Sequence, residues 1–287
     1  MSASHLIGLV GTGIGPSLTP ALHEREADEL GLRYLYRRLD LDVLGLPATA
    51  VGELLAAARL TGFTGLNVTH PAKQLVIEHL DELSPDAAAL GAVNTVVFTD
   101  GRAIGHNTDV SGFARSVRLG LKDASLDTVV LIGAGGAGVA VAHALLTLGA
   151  GTLRVLDTDP DRREGMAAQL CERFGAGRAE PAEDLAVALK GADGIAHATP
   201  TGMREHPGSA VPADLLRPEV WVADVVYRPL DTELLTTARA RGCRVLDGGK
   251  MAVFQAVDSF RLFTGLEPDA DRMLRHFDTL VGEDAHV

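Results

Sequence analysis

The chain has 287 residues, enough for about two domains of roughly 150 residues each, and its 46% apolar and 22% charged composition excludes global disorder, collagen and coiled coil. Its 26 basic residues against 38 acidic ones give a net charge of −12, which argues against a partner that needs a basic face; neither nucleic acid nor an anionic membrane is expected. Cys171 and Cys243 stand far apart with no Cys-x-x-Cys, so no disulfide framework and no metal site is expected. The chain opens without a basic segment followed by a long apolar run, and the expected setting is the cytoplasm.

In chain order, residues 5–10 read as a strand broken by Gly11, Gly13, Gly15 and Pro16. Residues 20–30 read as a helix, with Thr19 as N-cap and Pro20 at the first helical position. A strand follows at 33–39, an Ala/Leu-rich helix at 48–60 and a strand at 63–68. The spacing then predicts a helix over 71–80, a hairpin of 93–98 with 102–105 around Asp100-Gly101, and a helix over 110–121. A second series begins after Asp123. Short apolar runs at 128–132, 153–156, 194–197, 220–226 and 244–246 alternate with helical patterns near 137–148, 161–174, 182–190 and 231–241. A terminal run at 251–263 reads as a helix that returns to the first half.

This alternation predicts an α/β protein of two domains. Residues 1–106 with 250–287 form the first and 107–249 the second, a doubly wound parallel sheet; no Pro/Gly/Ser linker marks the boundary. Residues 128–153 carry no Asp, Glu, Lys or Arg, a length that could span a bilayer. Six glycines and His143 in that stretch favour strand, turn and helix instead.

The turn in that stretch is Gly133-Ala-Gly135-Gly136-Ala137-Gly138, a match to G-x-G-x-x-G. It follows a predicted strand and opens a predicted helix, and Asp157 ends the next strand, which is the context of a dinucleotide fingerprint. Glycines let the backbone approach a pyrophosphate, the helix N-terminus supplies N–H donors, and Asp157 can accept from ribose hydroxyls. The acidic run Asp157-Thr-Asp159-Pro-Asp161 would repel a ribose 2′-phosphate, so NAD is expected over NADP. Arg162 and Arg163 are the counterargument, since either could receive that phosphate.

Four segments of the first half are rich in groups that bind polyols and move protons: Ser17-Leu-Thr19-Pro20, Asn67-Val-Thr69-His-Pro71-Ala-Lys73, Gly91-Ala-Val-Asn94-Thr95 and Gly105-His-Asn107-Thr-Asp109. With the glycine turn, Ala198-Thr199-Pro200-Thr201-Gly202-Met203, Asp224-Val225-Val-Tyr227-Arg-Pro229 and Asp247-Gly248…Met251…Gln255, they resemble the shikimate dehydrogenase family over nearly the whole chain. Two departures bring the chain nearest to the NAD-dependent quinate/shikimate dehydrogenase branch. Thr19 stands where the family pattern Ser-x-Ser-Pro has its second serine, and Asp157-Thr-Asp159 stands where NADP-using members carry Asn-Arg-Thr. His70 and Ala72 also differ from the commonest residues.

The resemblance implies a substrate domain and a Rossmann domain, with a cyclic polyol carboxylate and NAD meeting between them. A ring alcohol of shikimate or quinate is oxidised reversibly to 3-dehydroshikimate or 3-dehydroquinate. Lys73 and Asp109 form its proton-handling pair. Lysine is scarce here, 4 of 26 basic residues, and unlike arginine it can release a proton. Lys73 is expected three residues into a helix, whose positive end disfavours an ammonium ion. Asp109 is its carboxylate partner and fits equally well as the N-cap of the following helix; which of the two is the base stays open. Ser17 and Thr19 contact the substrate carboxylate by analogy, and Thr69, Asn94 and Gln255 the ring hydroxyls. Asn67 and Asn107 are expected to hold loops. Gly133, Gly135, Gly136, Ala137, Gly138, Asp157 and Arg162 hold the nucleotide, while Thr199, Pro200, Thr201, Gly202, Met203, Val225 and Gly248 approach its nicotinamide. Lys250 reads as solvated, and His70, His106 and His197 as loop or core residues. A non-catalytic metabolite sensor and a dehydrogenase of a related cyclic substrate such as aminoshikimate are the alternatives; oligomeric state is not legible.

Overall fold

The computed structural model describes residues 4–284. Residues 1–3 and 285–287, part of the expected substrate domain, lie outside the described residues. The chain divides into two compact units, Met1–Thr108 with Val253–Val287, and Asp109–Ala252.

The first unit contains β1 (Ser4–Gly11), α1 (Thr19–Glu29), β2 (Arg33–Asp40), α2 (Leu41–Leu44), α3 (Val51–Leu60), β3 (Gly65–Val68), β4 (Glu82–Leu83), α4 (Pro85–Leu90), β5 (Thr95–Thr99) and β6 (Arg102–His106). The strands form a mixed six-stranded sheet in the order β2-β1-β3-β5-β6-β4. β1 runs parallel to β2 and β3, whereas β5 runs antiparallel to β3 and β6. The β5–β6 hairpin turns at Asp100 (φ 48°) and Gly101 (φ 74°), the left-handed pair that matches strand twist. Val10, Val51, Leu66, Val76, Val93 and Val96 fill the core on one side of the sheet.

The second unit contains α5 (Asp109–Gly120), β7 (Thr128–Ile132), α6 (Gly136–Thr147), β8 (Thr152–Leu156), α7 (Pro160–Phe174), β9 (Ala179–Pro181), α8 (Leu185–Ala188), β10 (Gly194–His197), β11 (Trp221–Asp224), α9 (Glu233–Ala240) and β12 (Val245–Leu246). Its sheet is wholly parallel, in the order β12-β11-β10-β7-β8-β9. Both faces are covered, which explains the near-continuous apolar strands. The strand order reverses between β7 and β10, and in such sheets ligands bind outside the strand carboxyl ends at that point. The uncharged stretch 128–153 is divided among β7, the glycine turn, α6 and the start of β8. Among the described residues no helix is long and apolar enough to cross a membrane.

α10 (Gly249–Thr264) starts in the second unit and continues into the first, where α11 (Ala270–Asp284) follows it. Phe260 and Phe263 of α10 pack with Ile7, Ala27 and Tyr34 of the first unit, so the terminal run does return there. α11, for which the sequence pattern gave no assignment, is tied down by Arg272. Its guanidinium donates to both oxygens of the fully buried Glu26 on α1, at 2.8 and 2.6 Å.

Three local expectations are corrected. Thr19 is not an N-cap: Leu18 holds that position without a side-chain cap, and Thr19 is the first residue of α1, its N–H donating to Ser17 Oγ at 3.3 Å. Residues 71–80 are not an α-helix. Residues 70–74 form turns and Leu75–His79 a 3-10 helix, because the Lys73 carbonyl accepts from Val93 N–H (2.8 Å) instead of continuing a helical ladder. The helix-terminus argument for Lys73 therefore has no α-helix to act through. Asp109 is the first residue of α5 rather than the cap before it.

Candidate functional site

In the first unit the polar segments converge at the carboxyl ends of β1 and β3. Backbone bonds lace them together. Thr69 N–H donates to Val10 O, Thr12 N–H to His70 O, Val68 N–H to Asn94 O and Val93 N–H to Lys73 O, at 2.8–3.1 Å. Thr69 and Lys73 are half-buried beside the deeply buried Asn94. Sequence segments more than 80 residues apart thus share one surface.

Asn94 is held in one orientation. Its Oδ1 accepts from Thr108 N–H at 2.8 Å, and a backbone N–H can only donate, so Nδ2 is the donor end and reaches Thr108 Oγ1 at 2.9 Å. Behind it runs a directed chain. Tyr36 OH donates to Asn67 Oδ1 (2.5 Å), Asn67 Nδ2 donates to Thr95 Oγ1 (3.0 Å), and Thr95 OH donates to Asn94 Oδ1 (3.0 Å). Burial holds the Tyr36 phenol well above its usual range, outweighing the Arg38 guanidinium, so it stays a donor. Thr95 and Thr108 lay inside the polar segments without an assigned role, and Tyr36 lay outside them, because this chain of bonds exists only once β2, β3 and β5 are assembled in one sheet. Asn67 belongs to this chain, and Asn107 Nδ2 donates to Ala92 O at 3.0 Å.

The loop carrying Ser17 hangs from the end of β2. Asp40 accepts Gly13 N–H at Oδ1 (3.1 Å) and Ile14 N–H at Oδ2 (2.8 Å), and Arg38 donates to Ser17 O at 2.8 Å. Neither anchor was legible from sequence. Gln255 is half-buried on α10, between the buried Phe254 and Ala256.

In the second unit the glycine turn joins β7 to α6 at the switch point. Gly133 has φ +104°, and a Cβ there would lie 2.7 Å from Ala198 O and 2.8 Å from Thr199 Cγ2. A Cβ on Gly138 would fall 1.9 Å from Gly133 O. These two glycines are required by internal packing. Gly135 is different. Its φ of −81° suits any residue, and a Cβ there meets nothing within 4 Å. It caps α6 without a side-chain bond, so the first-turn N–H groups of Gly136, Ala137 and Gly138 lie beside an open cradle. Those N–H donors and the positive helix end are the groups that could hold an anionic pyrophosphate.

Asp157 follows β8, and its carboxylate accepts Ala134 N–H (2.7 Å) and Asp159 N–H (2.9 Å), fixing the floor of the turn. Asp159 caps α7 and pairs with the exposed Arg162 at 3.3 Å, while Arg163 pairs with Glu183 at 3.0 Å. After β10, Thr199 Oγ1 accepts Thr201 N–H (3.2 Å), and Gly202 takes φ +98°. Pro200 O accepts Met203 N–H at 3.1 Å, and the Met203 side chain is exposed. After β11, a Cβ on Gly248 would fall 2.3 Å from Val225 O, which places those two segments in contact. Lys250, half-buried, is the second residue of α10. Among the described residues no three His, Cys, Asp or Glu side chains gather as metal ligands.

Residues 9–96 match the family described as shikimate dehydrogenase substrate binding domain. The chain is 65% identical to a shikimate dehydrogenase (NADP(+)) of Streptomyces avermitilis, with 97% of each protein covered. It is 52% identical to a quinate/shikimate dehydrogenase (NAD(+)) of Corynebacterium efficiens over 96% of this chain and 99% of that one. A solved quinate dehydrogenase from Corynebacterium glutamicum in complex with NAD superposes with a TM-score of 0.90 at 48% identity, covering 96% of this chain and 99% of that one. The glycine turn at a switch point, the lysine-bearing polar surface and likeness along almost the full chain lead to one conclusion: this protein belongs to the shikimate dehydrogenase family.

Proposed function

We propose that the protein is a pyridine-nucleotide-dependent dehydrogenase that reversibly oxidises a ring alcohol of shikimate or quinate to 3-dehydroshikimate or 3-dehydroquinate. The observation that carries this reading is the polar surface on which backbone bonds bring the segments of Thr69, Lys73 and Asn94 together, with hydroxyl, amine and amide groups in one place. Ser17 and Thr19 bind the ring carboxylate through hydroxyls, and Thr69, Asn94 and Gln255 orient the ring hydroxyls. Lys73 takes the alcohol proton as the carbon gives up hydride with its electron pair, leaving the ketone; Asp109 is its carboxylate partner. A bound oxidised nicotinamide supplies the hydride acceptor. Gly135 and the first turn of α6 hold its pyrophosphate, and the segments at Thr199–Met203, Val225 and Gly248 border its reactive ring.

NAD is the preferred nucleotide in this reading. Asp157, just after the strand that follows the glycine turn, is the group that would receive the ribose hydroxyls, and its charge would oppose a 2′-phosphate. Arg162 and Arg163 both have carboxylate partners. The Arg162 pair is exposed and worth little, so Asp157 carries the preference. The name of the Streptomyces relative favours NADP as the second reading.

The test follows nucleotide absorbance at alkaline pH with shikimate, quinate and aminoshikimate in turn, each with NAD⁺ and NADP⁺. Turnover of shikimate or quinate with a higher kcat/KM for NAD⁺ is expected. A higher kcat/KM for NADP⁺ overturns the cofactor assignment, and tight binding without turnover would make the protein a sensor.

A further inference from the structure

His197 ends β10 and Asp224 ends β11, opposite one another in parallel register. Both are buried, at 1% and 2% exposure. His197 Nδ1 lies 2.9 Å from Asp224 Oδ1, and Nε2 lies 2.5 Å from Thr199 Oγ1. Asp224 Oδ1 also accepts Val226 N–H at 3.0 Å, and its Oδ2 accepts Thr232 OH at 2.8 Å. A carboxylate can only accept, so Nδ1 carries a proton and donates to Asp224, while Nε2 is hydrogen-bonded to the Thr199 hydroxyl. Thr232 in turn caps α9, its Oγ1 accepting Leu235 N–H at 3.2 Å.

The chain therefore runs from a helix cap through a buried carboxylate and imidazole to one threonine. That threonine is clamped from both sides. Its hydroxyl is held by His197, and its methyl lies where a Cβ on Gly133 would come within 2.8 Å. Thr199 Oγ1 also receives Thr201 N–H, so the rotamer of one side chain sets the path of the loop that follows. The whole arrangement sits at the switch point between β7 and β10.

We propose that His197 is a positioning residue for the pyridine nucleotide: acting through Thr199, it holds the loop from Thr199 to Gly202 against the glycine turn before the nucleotide arrives. The inference rests on the nucleotide reading above. Preorganisation of this kind improves binding by removing an ordering cost. A merely structural histidine would affect unfolding alone.

The experiment measures NADH and NADPH dissociation constants by nucleotide fluorescence without acid substrate, together with thermal unfolding, for wild type, His197→Phe, Thr199→Val, Thr199→Ser and the double variant His197→Phe/Thr199→Val. His197→Phe and Thr199→Val should each weaken nucleotide binding about tenfold, the effect of one buried bond lost with its partner left unsatisfied. Thr199→Ser, which keeps the hydroxyl, should stay within about twofold of wild type. The double variant should be little worse than Thr199→Val alone, because both changes remove one interaction. In turnover, KM for the nucleotide should rise while KM for the acid holds. Multiplicative effects in the double variant, or a lowered Tm with unchanged dissociation constants, overturn the proposal. If His197→Phe does not fold, equal affinities of Thr199→Val and Thr199→Ser overturn it. A wild-type protein that binds neither nucleotide refutes the nucleotide reading itself, whereas wild-type binding with unaffected variants refutes only the role of His197.

Discussion

The two units build their candidate binding surfaces from different materials. In the second unit the surface is backbone: a glycine turn, a helix end and a clamped loop, all within a few residues of strand termini. In the first it is side chains: hydroxyls, amides and one lysine, aligned by a hydrogen-bonded chain that runs from Tyr36 to Thr108. A backbone surface needs absent side chains and so leaves a short, dense signature. A side-chain surface needs many partners, and these can come from anywhere in the chain. The difference also predicts different failures. Damage to the backbone surface should be steric and all-or-none, whereas damage to the side-chain surface should be chemical and graded.

The sharpest separation comes from Lys73→Ala. It should lower kcat by about 100-fold or more, the range of a lost proton-transfer group, with the nucleotide dissociation constant unchanged. Stopped-flow and fluorescence titration check this, and near-wild-type kcat would remove Lys73 from the chemistry. Next, Gly138→Ala and Gly135→Ala divide the backbone surface in two. The first forces a Cβ to 1.9 Å from Gly133 O and should cost about 3 kcal/mol of stability. The second faces open space, so it should leave Tm unchanged while weakening nucleotide binding. Equal unfolding midpoints for the two variants would break the distinction.

His23 probes the polar interior of the first unit. It is fully buried, with Nδ1 2.9 Å from Tyr34 OH and Nε2 3.3 Å from Ser259 Oγ, and burial lowers its pKa from 6.5 to about 3. Between those values the unfolded chain holds a proton that the folded chain lacks. Its contribution to stability is present above pH 6.5 and is lost as pH falls toward about 3, at about 1.4 kcal/mol per pH unit. Urea unfolding at pH 7, 5.5 and 4.5 should show a flatter acid dependence for His23→Asn, and parallel slopes would contradict this. Smallest is Thr19→Ser. One methyl group corresponds to about 0.8 kcal/mol, so the quinate-to-shikimate ratio of kcat/KM should move by about fourfold at most. An unchanged ratio would exclude Thr19 from substrate discrimination.

The sequence alone carried much of this. Apolar runs gave five of the six strands of the second unit and their order along the chain, while β9, whose Ala-Glu-Pro sequence is not an apolar run, left no such signal. The glycine turn was legible because part of its packing is local: a Cβ on Gly138 would meet Gly133 O five residues back, whereas the contact of Gly133 with Ala198 and Thr199 belongs to the tertiary structure. The helix expected at 71–80 failed for the opposite reason. Its apolar spacing is helical, but Val93, twenty residues away, takes the Lys73 carbonyl.

Composition and spacing settled the α/β alternation, the glycine turn and the scarcity that drew attention to Lys73. Tertiary structure alone decided that Asp40 and Arg38 would hang the Ser17 loop, that Tyr36 would orient Asn94 through two intermediaries, and that His197 would hold a threonine rather than fill a core. The physical reason is range. A glycine's permitted φ and a helix end's bare N–H groups are properties of a few consecutive residues. A hydrogen bond between side chains exists only when strands distant in sequence lie side by side.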